Sequence, residues 1–185
     1  MAFDDLLKKR ASIRRYSTKS VSFNDIAKIC EAARYAPMAG NIYTVRLIIV
    51  SEKEKKEKLA EAALGQEFIA DAPYVIVVCS DLSNLSVAYG ERAEIYARQQ
   101  AGAAIENMLL KTTELGLATC WIGAFDDNAV KRILDIPEKI QIEALLPIAY
   151  PLGKTIQKKK PELAQILYFE KWGQKTAKPL KKPPA

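Results

Sequence analysis

The chain has 185 residues, 49% hydrophobic and 27% charged, the balance of a globular protein large enough for one substantial core. Its 28 lysines and arginines against 22 acids give a net charge of +6, and it contains no histidine. A Ser-His-Asp triad, a Cys-His dyad and histidine-based zinc chemistry are therefore set aside, which leaves catalysis to a cofactor or to carboxylates.

No apolar run approaches the roughly 18–20 residues that span a bilayer. Asp4 and Asp5 interrupt any signal-peptide pattern, so the expectation is a cytoplasmic protein with no membrane partner. Cys30, Cys79 and Cys120 are far apart, odd in number and set among apolar neighbours, which fits reduced, buried thiols. No pair of them has metal-ligand spacing, so no metal site is expected. After Glu170 the chain carries Lys171, Lys175, Lys178, Lys181 and Lys182 with no acid, together with Pro179, Pro183 and Pro184. That composition reads as a flexible basic tail over 173–185, beyond a single domain at 1–172. A solubilising tail is favoured over a nucleic-acid arm, because no zinc finger or RNA-binding aromatic signature accompanies it.

In chain order, a short amphipathic segment from Phe3 to Lys9 leads into Arg10-Ala11-Ser12-Ile13-Arg14-Arg15-Tyr16. Guanidinium groups present planar forks of donors that match phosphate oxygens, so this cluster is a candidate anion clamp; a solvated basic turn is the plain alternative. Ser22-Phe23-Asn24-Asp25 resembles a capping box opening a helix with Ile26, Ile29, Cys30 and Ala33 inward, and Pro37 marks its end. Thr44 to Ser51 reads as a strand covered on both faces, helices follow at about 52–63 and 66–71, and Tyr74 to Ser80 is a second buried strand. A long helix is predicted over 92–115, stopped by Gly116. A short strand from Thr119 to Ile122 then enters a glycine turn at Gly123, with Trp121 expected in the core. Asp126 is positioned to cap the next helix, and 140–150 forms another strand. Leu163, Ile166, Leu167, Tyr168, Phe169 and Trp172 form an apolar segment that an isolated chain has trouble covering, which suggests a partner surface.

The arginine segment, Ala36-Pro37-Met38-Ala39-Gly40-Asn41, the run from Gly116 to Asp126, and Pro147 to Pro151 followed by Lys158-Lys159-Lys160-Pro161 occur in one order. Together, from about Phe3 to about Trp172, they resemble the FMN-dependent nitroreductase family. The resemblance implies an α+β fold, a three-layer α/β/α sandwich with a mixed, mainly antiparallel sheet, and a homodimer that exchanges C-terminal segments. It also implies FMN at the subunit interface, NADH or NADPH as electron donor, and a nitroaromatic, quinone or similar small-molecule acceptor reduced by two electrons in a ping-pong cycle. No catalytic side chain is required, since the flavin carries the chemistry.

By the same resemblance, Arg10, Ser12 and Arg14 anchor the phosphate and pyrimidine sides of the cofactor, with the Ala11 backbone alongside. Lys159 or Lys160 supplies a second phosphate-binding cation. Pro37, Met38, Ala39 and Asn41 belong to a loop reaching the flavin from the other subunit; a local Asx-turn bond is the rival role for Asn41. Ile122 packs on the ring, and Gly123 and Ala124 offer backbone N–H groups toward N5 and its neighbouring carbonyl. Tyr43 is a candidate for the substrate side, or an ordinary structural tyrosine. The polar residue that the family often supplies from the long helix is represented loosely by Gln99 and Gln100. Two further readings remain at this point: a non-catalytic flavin-binding dimeric scaffold, and a specialised relative that fragments flavin or removes halogen reductively.

Overall fold

The computed structural model describes residues 2–153 and 157–176. Four strands, β1 (Val45–Val50), β2 (Tyr74–Ser80), β3 (Ala118–Thr119) and β4 (Gln141–Ala149), form one sheet in the order β1-β2-β4-β3. Every pair of neighbours runs antiparallel. A parallel bridge from Ser12 to Thr119 extends the sheet edge and makes it mixed.

Beta-strand side chains alternate between faces, and β2 shows what lies on each. Ile76 and Val78 enter one core with Ile26 and Ile29 of α2 (Phe23–Ala33) and Ile105 and Met108 of α6 (Ala93–Glu114). Val75, Val77 and Cys79 enter a second core on the opposite face. There they meet Leu59 of α3 (Lys53–Ala62), Ile69 of α4 (Phe68–Asp71) and Val130 of α7 (Asp127–Leu134). Helices on both faces of an antiparallel sheet make three layers. Residues 75–80 are buried throughout, which explains why β2 is an unbroken apolar run rather than an alternating one. Each fully buried isoleucine or leucine here contributes about 1.5–3 kcal/mol.

Local chemistry accounts for the element ends. The Ser22 hydroxyl accepts from the Asp25 N–H at 3.1 Å and donates to the Asp25 carboxylate at 2.8 Å. Asp126 accepts from the Ala129 N–H at 3.0 Å, the cap expected for α7. At the end of α6, Gly116 turns with φ 72°.

Several elements depart from the sequence reading. A helix, α5 (Ser83–Tyr89), lies where none is predicted. The strand expected over 119–122 is shorter: ladder pairing stops at Thr119, and only an isolated bridge from Ile122 to Leu145 continues it. A β-bulge interrupts β2–β4 pairing, with Val78 opposite Ala144 and Cys79 opposite Ile142, so Glu143 is the extra residue.

Beyond the sheet, α8 (Leu163–Ile166) is a single turn, and Leu163, Ile166 and Trp172 are exposed. Of the expected 173–185 tail, only 173–176 fall within the described residues. No described helix is long and apolar enough to cross a membrane.

Candidate functional site

Residues 10–16 leave the first helix, α1 (Phe3–Lys9), as an irregular strand fastened along the edge of the sheet. The Ile13 N–H donates to the Thr119 carbonyl at 2.9 Å, the Ser17 N–H to Tyr150 at 2.9 Å, and the Leu152 N–H to Arg15 at 3.0 Å. The Tyr16 hydroxyl donates to the Ile13 carbonyl at 2.9 Å, and burial pushes its phenol far above the ordinary value. Near-extended backbone sorts the side chains by parity. Ala11 and Ile13 line a cleft of about 290 Å³ with Thr113, Leu117 and Gln157. Ser12 and Arg14 lie on the other side, beside Cys120. Burial raises that thiol's pKa, while the Arg14 charge and the Ser12 hydroxyl pull it back down.

The guanidiniums do not converge within one chain. Arg10 approaches the Glu106 carboxylate of α6 at 3.8 Å, whereas Arg14 sits 5.9 Å over the Phe68 ring. Ser12 lies exposed between them, and the Arg15 side chain is exposed as well. The lysine run starts at the same place: the Gln157 amide donates to the Arg10 carbonyl at 2.9 Å and to Leu7 at 3.3 Å. Lys159 and Lys160 follow as exposed cations.

The second segment, Pro37 to Asn41, follows α2 and ends in a 3-10 turn over Ala39–Asn41. Gly40 (φ 57°) and Asn41 (φ 58°) are both left-handed. Pro37 is exposed, while Met38 packs partly against the first core. The Asn41 side chain is exposed and makes no hydrogen bond among the described residues, so the rival Asx-turn bond is not formed. The Tyr43 hydroxyl donates to the Arg34 carbonyl at 2.6 Å; it ties the end of α2 to the start of β1, which is a structural role.

At the third segment, the sheet alternation reverses one expectation. Cys120 and Ile122 are turned into the second core, at 1% and 3% exposure, so the Ile122 side chain forms the floor behind the loop. Trp121 is 41% exposed rather than core, because its neighbours on either side take the inward positions. The period-two pattern of 120–122 carries that signal, and the general tendency of strand aromatics to pack inward hides it. Gly123 and Ala124 are exposed, and neither N–H has a hydrogen-bond partner among the described residues. A cleft of about 460 Å³ runs from Gly123 past Arg98 and Phe125 to Glu143, whose Oε1 is buried without a partner among the described residues.

Helix α6 organises the three segments. Gly102, where a β-carbon would lie 3.8 Å from the Trp121 ring, and Glu106, beside Arg10, are four residues apart and share a helix face. Gln100 lies about 200° around the axis from Gly102 and contacts the Ala39–Thr44 segment. The arginine and glycine segments therefore meet on one side of α6 and the asparagine loop on another. Glu106 is a partner that the sequence reading did not assign, while Gln100, named there only as a loose stand-in for a polar residue of the long helix, takes a definite place beside the loop.

The site thus combines a helix-flanked sheet, a basic strand along its edge and a small-residue loop with open N–H donors. The nitroreductase family model matches residues 7–67 and 63–150, and the chain belongs to that family. A putative NADH dehydrogenase/NAD(P)H nitroreductase of Archaeoglobus fulgidus is 34% identical over 146 residues, 77% of this chain and 81% of the relative. An FMN reductase [NAD(P)H] of Bacillus subtilis is 30% identical, over 83% of this chain and 67% of the relative. Among solved structures, an FMN-dependent nitroreductase of Clostridium difficile superimposes with a TM-score of 0.78 at 27% identity, covering 90% of this chain and 98% of that one.

Proposed function

We propose that this protein is a homodimeric FMN-dependent NAD(P)H oxidoreductase that reduces nitroaromatic, quinone or similar electron-poor acceptors by two electrons in a ping-pong cycle. The observation that carries the reading is the fastening of the arginine strand to Thr119. It sets Arg10, Ser12 and Arg14 along the same sheet edge as the open N–H groups of Gly123 and Ala124. Family membership and the printed names of the relatives supply the reaction class.

The donor set fits the cofactor. Ser12 and the guanidiniums of Arg10 and Arg14 hold the phosphate and pyrimidine sides, with the Ala11 backbone alongside and Lys159 or Lys160 closing the phosphate site. Gly123 and Ala124 direct N–H donors at the ring, where small side chains let the backbone approach. The exposed Trp121 indole adds apolar surface beside them. FMN held by these residues would supply the two-electron chemistry between NADH or NADPH and the acceptor. The protein's part is to hold the ring, exclude bulk water from it, and leave one face open to both substrates in turn. Basic groups around the mouth attract the phosphates of the nicotinamide donor.

The geometry of α6 supports a dimer. Because the asparagine loop and the arginine strand occupy different sides of that helix, a slot using both takes its loop, Pro37, Met38, Ala39 and Asn41, from a second subunit. The exposed Leu163, Ile166 and Trp172 are suited to cover that subunit. The functional unit is residues 1–172, with 173–185 a basic extension. Its three free thiols agree with the reducing cytoplasm, where NAD(P)H is available.

The direct test is FMN affinity in single variants. Ser12→Ala, which removes one hydroxyl donor, weakens FMN by about fivefold; Arg10→Ala, which removes a charged donor, weakens it by about 10–100-fold. Unchanged affinity in both folded variants contradicts the assignment.

A further inference from the structure

Gln100 is 4% exposed, and its amide lies inside the hairpin of backbone that carries Asn41. With its oxygen toward Ala39, it accepts from the Ala39 N–H at 3.0 Å. Its nitrogen then donates to the Ile42 carbonyl at 3.3 Å and to the Thr44 hydroxyl at 2.9 Å. One side chain thus clamps both ends of the Ala39–Asn41 turn. That turn stacks two consecutive left-handed residues, a conformation that persists only where its surroundings over-determine it. Thr44 is fully buried, so the clamp is anchored in the core rather than in solvent.

We infer that Gln100 is a positioning residue for the flavin site: it never touches the cofactor, and it sets Asn41 for a flavin held by the other subunit. The inference rests on the reading above, in which the loop acts across the dimer. Gln100 is the only described side chain bonded to both ends of the turn, so its loss releases the turn without removing a cofactor contact. Its influence is therefore exerted in trans, on the site whose arginine strand belongs to the partner.

The test is a double-mutant cycle on FMN affinity in purified protein, with thermal midpoint and sedimentation as controls. Gln100→Leu, which leaves the turn unclamped, is expected to weaken FMN by about tenfold. Combined with Asn41→Ala, it should add nothing beyond the loss from Asn41→Ala alone. Gln100→Glu keeps the length and the acceptor toward Ala39 but, ionised, loses the donor. Measured against wild type at each pH, its FMN affinity should recover on acidification as the carboxyl regains a proton to donate.

A mixed dimer of one Gln100→Leu subunit and one Arg10→Ala subunit should retain one site of wild-type affinity, because the two lesions fall in the same slot. Losses that multiply in the cycle, FMN affinity unchanged in folded Gln100→Leu, no recovery with acid, or a mixed dimer weakened at both sites would each overturn the positioning role. Wild-type protein that takes up no FMN would instead overturn the flavin reading, and this inference with it.

Discussion

At Gly40 the backbone adopts φ 57°, and a β-carbon there would stand 2.7 Å from the Tyr89 hydroxyl. Both facts require glycine: L side chains avoid this region, and the phenol must move before one fits. Gly40→Ala is expected to cost about 1–2 kcal/mol and to weaken FMN binding, read from thermal denaturation and flavin titration. An unchanged midpoint with unchanged FMN affinity contradicts the strain argument. The loop was legible in the sequence as a turn, from a proline, a glycine and an asparagine within the five residues Pro37 to Asn41. Its buried clamp was not, because Gln100 lies 60 positions beyond Gly40 in a helix whose side-chain directions are set only by packing. Trp121 was misplaced for a related reason: burial tendency belongs to a residue type, whereas direction belongs to the strand.

Among the elements, β2 was readable to its end residues because seven apolar or small residues in a row admit one arrangement, a strand covered on both faces. The long helix α6 was legible from its length and its Gly116 stop. The helix α5 was not: Ser83 to Tyr89 has no apolar stripe, only Leu85 is buried, and its place is fixed by contacts with α6. The Glu143 bulge was equally hidden, since register depends on two strands at once. Beside that bulge, burial and then the Glu143 carboxylate push the Cys79 thiol up to about 11. The folded protein keeps this proton while the unfolded chain releases it near the ordinary thiol pKa, about 8.5. Stability from this group is therefore complete below about pH 8.5 and falls as pH rises toward 11, by about 3 kcal/mol in all. Urea denaturation at pH 8 and pH 11 checks it: the drop should be smaller in Cys79→Ala than in wild type, and equal drops contradict the assignment.

For the whole molecule, the layered fold followed from the succession of buried strands and amphipathic helices, but the assembled site did not. Within one chain the arginine strand and the asparagine loop lie against different sides of α6. In the proposed dimer a second copy supplies the loop, and the exposed Ile166 and Trp172 offer surface to hold it. Ile166→Glu should shift sedimentation from dimer toward monomer and release FMN; a dimer that retains FMN at wild-type affinity contradicts the proposed role of the C-terminal segment. The most direct measurement is an anaerobic titration of the purified protein, reconstituted with FMN, by NADH and by NADPH while its yellow absorbance is followed. The account predicts a dimer that binds equimolar FMN, is bleached by at least one of the two nucleotides and regains its colour on adding a quinone or nitroaromatic. Protein that takes up no FMN, or whose bound FMN neither nucleotide bleaches, would contradict it.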